Sequence, residues 1–152
     1  MRKVKELEVV CYKTVGEIPK SDWELNGVPY NPFHELRFLE VMEKSNVENA
    51  EYDFLIFYKK SKPIATAVLS NFSIDLSLFI GDEKWVKWVK KWLPKFFHVK
   101  ILFCGTPVSI GHSNFNCVEN LEECLLGLNE KMEELARQRK VKLLCLKEIS
   151  EQ

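Results

Sequence analysis

The period of hydrophobic and polar positions changes several times along the chain, and each change marks an element. Leu7 to Tyr12 (LEVVCY) is a β-rich run that predicts a first strand. Pro19 and Ser21 open a short helical turn around Trp23 to Leu25, and Asn26-Gly27 punctuates it. Asn31-Pro32 predicts a helix start, an N-cap side chain followed by proline at the first helical position. Phe33, Leu36, Leu39 and Met42 then recur every three residues up to Ser45-Asn46. Tyr52 to Tyr58 (YDFLIFY) and Ile64 to Leu69 flank a polar turn and read as a hairpin. Alternation from Phe72 to Ile80 extends the second strand or adds another.

Gly81-Asp82 opens the next element. Trp85, Trp88, Val89 and Trp92 fall at i, i+3, i+4 and i+7 of a helix that stops at Pro94. Three tryptophans on one face predict that this face packs on the sheet, with the lysines in water. Lys100 to Cys104 (KILFC) is a short apolar strand consistent with burial on both faces. The loop Gly105 to Cys117 follows. Asn120 and Glu123 resemble a capping box. Leu121, Leu125, Leu128, Met132 and Leu135 mark one face of a helix that closes on Arg137, Arg139 and Lys140, cations suited to its C-terminal dipole. Val141 to Leu146 (VKLLCL) is the last strand.

This order predicts one α/β domain over residues 1–152, a mixed central sheet with flanking helices. Strands 52–58 and 64–69 should pair antiparallel, and 100–104 and 141–146 should run parallel through the 118–139 helix. An apolar last strand needs a neighbour on each edge. Cover is therefore expected from a C-terminal half-domain or from a second copy of the chain.

Charge narrows the partners. Twenty-two basic side chains balance twenty-two acidic ones, so the whole molecule has no pull toward nucleic acid or anionic membrane. The segment DEKWVKWVKKWLPKFFHVK is locally different: Lys84, Lys87, Lys90, Lys91, Lys95 and Lys100 are interleaved with three tryptophans. Its functional readings are a membrane-surface helix or a platform for RNA or a carrier protein. The N-terminus lacks a signal-peptide pattern and no stretch approaches a membrane span, which predicts a cytoplasmic protein. Its five cysteines are then reduced and structural.

His34, His98 and His112 form no metal-ligand spacing, so no metal is expected. Cys104 and His112 invite a nucleophile–base reading, but Cys104 ends a buried-looking strand and no third group is evident. The nucleotide-binding fingerprints are absent. The strongest candidate site is the loop Gly105, Thr106, Pro107, Val108, Ser109, Ile110, Gly111, His112 and Ser113. Its glycines allow close backbone approach, its hydroxyls can donate, and the helix beyond offers free N–H groups. An anion or an extended acyl chain fits such a loop; a plain surface loop is the alternative.

Four stretches carry a resemblance: Asn31-Pro32-Phe33 followed by Phe38-Leu39, PIATAVL at 63–69, FCGTPVSIG at 103–111 and LLCLKEI at 143–149. With the order of elements, they resemble the N-terminal half of the GNAT acyltransferase fold, most closely its FemAB-like, peptidoglycan-recognition branch. The resemblance implies that 100–104 and 141–146 are the fourth and fifth strands of that fold, with the acyl donor on the loop between them and where the two strands splay. It also implies that the final helix and strands lie beyond this chain. The usual Gln/Arg-x-x-Gly-x-Gly/Ala spacing is absent and the loop is longer. The implied donors are acyl-CoA, an acyl-carrier-protein thioester or aminoacyl-tRNA, and the acceptor is an amine. Glu148 is the one group placed to accept the amine's proton. The rivals are a noncatalytic binding or assembly module of the same fold, and an RNA- or carrier-protein-binding adaptor.

Overall fold

The computed structural model describes residues 7–75, 77, 85, 88, 91–92, 97–108 and 114–146. Strand β1 (Leu7–Tyr12) leads through a short helix α1 (Lys20–Trp23) and a longer α2 (Leu36–Ser45) to β2 (Glu51–Lys59) and β3 (Lys62–Asp75). Then come β4 (His98–Cys104), β5 (Phe115–Cys117), helix α3 (Leu121–Arg139) and β6 (Leu143–Leu146). They build one mixed sheet in the order β1-β2-β3-β4-β6, with β5 also paired to β3. All its pairs are antiparallel except β4 with β6.

The β2–β3 hairpin sets the register. Lys60 and Ser61 both adopt left-handed backbone (φ 50° and 63°), as a two-residue type I′ turn requires. Both faces of these strands are covered, which is why β2 is apolar almost throughout. Leu55, Phe57, Ala65, Ala67, Leu69 and Leu102 pack under Cys124, Leu128, Met132 and Leu135 of α3. Phe54, Ile56 and Val68 pack on the opposite face against Ile18, Trp23, Leu39 and Met42.

Several expectations change. Asn31 does accept a hydrogen bond from the Phe33 N–H (3.0 Å), but it caps only a 3₁₀ turn, Pro32–His34. Glu35 is extended (φ −65°, ψ 136°), so α2 starts at Leu36. Asn120 has φ 57° and its side chain makes no cap bond, so the capping box with Glu123 does not form. The Cys124 N–H donates to the Asn120 carbonyl instead.

The tryptophan face is also different from expectation. Trp85, Trp88 and Trp92 are helical but 53%, 65% and 68% exposed. The expected packing of these rings on the sheet does not occur. Strand β6 has a neighbour only on its β4 side among the described residues, and Leu143, Leu144 and Leu146 are exposed. Among the described residues it is an edge strand. No helix among the described residues is long and apolar enough to cross a membrane.

Candidate functional site

Strand β3 organises the candidate site because it changes partner partway along. Leu69 to Asp75 pair with β4, whereas Ala65 to Ala67 pair with β5. The two partners lie end to end along the same edge of β3, interrupted by the segment between Cys104 and Phe115. Val68 clamps that interruption: its carbonyl accepts from the Gly105 N–H (2.8 Å) and its N–H donates to the Asn114 carbonyl (3.0 Å). The loop thus leaves and re-enters the sheet at one residue.

Its neck is polar and buried. The Ser70 hydroxyl donates to the Gly105 carbonyl (2.7 Å), and the Asn114 amide donates to Thr106 Oγ1 (3.4 Å). Ser70, Thr106 and Asn114 are all buried. Gly105 has φ 139°, and a Cβ there would sit 3.1 Å from the Phe103 ring, so this position requires glycine.

Alternation along β3 extends this polar strip. Thr66, Val68 and Ser70 share the face toward α1 and α2, and Asn116 stands opposite Thr66 in the register. Thr66 Oγ1 lies 2.9 Å from His34 Nε2. The His34 ring stacks on Trp23 at 4.6 Å and 8°, and the Trp23 indole N–H donates to the His34 carbonyl. Burial pushes the His34 pKa down to about 3, so the ring is neutral, and its Nδ1 has no hydrogen-bond partner among the described residues.

His34 and Asn116 form part of the wall of a cavity of about 650 Å³. Lys20, Glu24, Glu35 and Arg37 bring charge to the same wall. A fully buried strip, in which Thr66 and Ser70 flank the apolar Val68, therefore runs along one face of β3 from the cavity wall to the neck of the loop.

Of the residues singled out in the sequence, Gly105 and Thr106 lie in the neck, and Pro107 and Val108 lead out of it, Val108 exposed. Ser109, Ile110, Gly111, His112, Ser113 and Glu148 lie outside the described residues. Helix α3 does not begin at the neck. Strand β5 intervenes, and the Val118 N–H donates to the Ile64 carbonyl, four residues from Val68 along β3. Lys59 and Lys62 of the hairpin reach Glu123 and Glu119 there. The splay implied between the fourth and fifth strands is not seen among the described residues: β4 and β6 pair in register from Ile101↔Leu143 to Cys104↔Leu146.

Cys104 is fully buried, and desolvation pushes its pKa up to about 12, so it is a poor thiolate. Among the described residues no three His, Cys, Asp or Glu side chains are grouped to hold a metal. The sequence reading missed His34, Thr66, Asn114 and Asn116. Thr66 carries a usable signal, as the one hydroxyl inside the apolar run IATAVL. No family model matches this chain, and no curated protein or solved structure matches it significantly.

Proposed function

We propose that this chain is an acyltransferase-like domain, the N-terminal half of a GNAT-type unit of the FemAB-like branch. It would transfer an acyl or aminoacyl group from a thioester or ester to an amine. The observation that carries this reading is the parallel pairing of β4 with β6 through α3, at the end of an otherwise antiparallel sheet, with a long loop at the carboxyl end of β4. The polar strip supports it, because it joins that loop to a cavity large enough for a small acceptor.

Direct attack of an amine on the donor carbonyl needs no protein nucleophile, in keeping with the raised pKa of Cys104. Catalysis then rests on proximity and on polarisation of the carbonyl by backbone N–H groups of the strand and of the loop beyond the neck. Candidate donors are acyl-CoA, an acyl-carrier-protein thioester and aminoacyl-tRNA. Glu148 is the proposed acceptor of the amine's proton.

A second reading is favoured by one observation. The in-register pairing of β4 and β6 leaves no slot between them for a pantetheine arm, as expected of a binding or assembly module without chemistry. Thermal shift of the full chain with each donor class separates the two. The enzyme reading expects at least one donor to raise Tm, Gly111→Val to remove that shift, and mass spectrometry to find an acylated amine. No Tm shift and no product with any of the three donors would overturn it.

A further inference from the structure

We propose that the helical face carrying Trp85, Trp88 and Trp92 docks on a membrane–water interface rich in anionic lipid headgroups. The three indoles are each more than half exposed. At 100° per residue their spacing places them within an arc of roughly 60°. Together they offer on the order of 300–400 Å² of aromatic surface, the size at which an exposed apolar patch marks a binding site. Trp85 also contacts the buried ring of Phe97, with centroids 6.3 Å apart, which ties this face to the body of the molecule.

Charge selects the occupant. Between Asp82 and Lys100 the sequence carries six lysines against two carboxylates, in a chain whose 22 basic and 22 acidic side chains cancel overall. Lys91 is helical and exposed. At 100° per residue Lys91 falls roughly 60° beyond Trp88, beside the tryptophan arc. That is how an interfacial helix is patterned: indoles sink to headgroup level while lysines reach up to phosphates. Single-stranded nucleic acid would want cations in line with the rings, so that one backbone tracks both.

The inference is independent of the acyl-transfer reading, and its test contains no acyl donor. The full chain is mixed with vesicles of pure phosphatidylcholine or of phosphatidylcholine with about 30% phosphatidylglycerol. Trp23 is buried and serves as the constant internal reference for fluorescence. Expected are co-sedimentation and a blue shift of tryptophan emission with the anionic vesicles alone, weakened about tenfold or more as salt rises to about 0.5 M. The triple variant W85A/W88A/W92A should lose both effects. Its circular dichroism and Tm should stay as in the wild type, because the removed rings are exposed. Absence of co-sedimentation, equal binding to both vesicles, or retention of binding by the triple variant would overturn the proposal. So would binding of single-stranded RNA without binding of vesicles.

Discussion

His34 is a neutral ring held between Trp23 and Thr66, and that makes it a reporter of pH. Its pKa is about 3 in the folded chain and about 6.5 when exposed. The unfolded state therefore takes up the proton first. The contribution of the buried neutral ring is complete above about pH 6.5 and is lost as pH falls toward 3. Urea unfolding at pH 7 and pH 4 should show the wild type losing on the order of 3 kcal/mol more than His34→Gln over that interval. Equal losses would place the ring in a wetter setting than the structure gives it.

Asp53, the lone carboxylate in YDFLIFY, is buried as well. It is fully buried, takes a hydrogen bond from Arg139 Nη2 (2.9 Å), lies 2.6 Å from Arg139 Nη1, and is paired with Lys13. Nη1 contacts Oδ2 as an ion pair without hydrogen-bond alignment. Desolvation, then the Asp53 charge, holds the neighbouring Cys11 thiol above its usual pKa. Arg139→Met should cost about 3 kcal/mol in equilibrium unfolding, because it leaves Asp53 in the core with Lys13 alone. A loss below about 1 kcal/mol would mean that Lys13 and water suffice.

Among the elements, α3 is seated on the sheet by a close approach at Gly127. A Cβ there would lie 2.9 Å from Leu7 Cδ2 and 3.5 Å from Val9 and Phe57. Gly127→Leu should cost about 1–3 kcal/mol, although leucine is the better helix former. Gly127→Ala should be far milder, since the end of the Leu7 side chain can yield. Urea midpoints of the two variants check the ordering.

The elements also show where the sequence was legible. The hairpin, α3 and the parallel β4–β6 pair were readable, because each rests on a local period or a turn. Strand β5 was not, since three residues carry no period and only the pairing with Ala65 to Ala67 of β3 reveals it. The tryptophan period carries no direction, since a helical face can turn toward solvent as well as toward the sheet, and these three rings are exposed. The polar strip was hidden for a related reason: His34, Thr66 and Asn116 are far apart in the chain and meet only through the β3 register.

At the scale of the molecule, β6 is an edge among the described residues, with exposed leucines. Such an edge is a template for pairing with another chain. Light scattering should therefore show mass rising with concentration, and Leu144→Lys should suppress the rise. A monomer at every concentration would mean that the edge is already covered.

The central claim is that the neck of the β4–β5 loop and the His34 cavity are two ends of one donor–acceptor site. Amide chemical-shift mapping of the full chain, titrated in turn with an acyl-CoA, an acyl-carrier thioester and an aminoacyl-tRNA, tests this most directly. The claim predicts that one donor moves the resonances of Gly105, Thr106, Asn114 and Asn116 together, and that an added amine acceptor moves His34. Shifts confined to the Asp53–Arg139 end of the sheet, or none with any of the three donors, would contradict it.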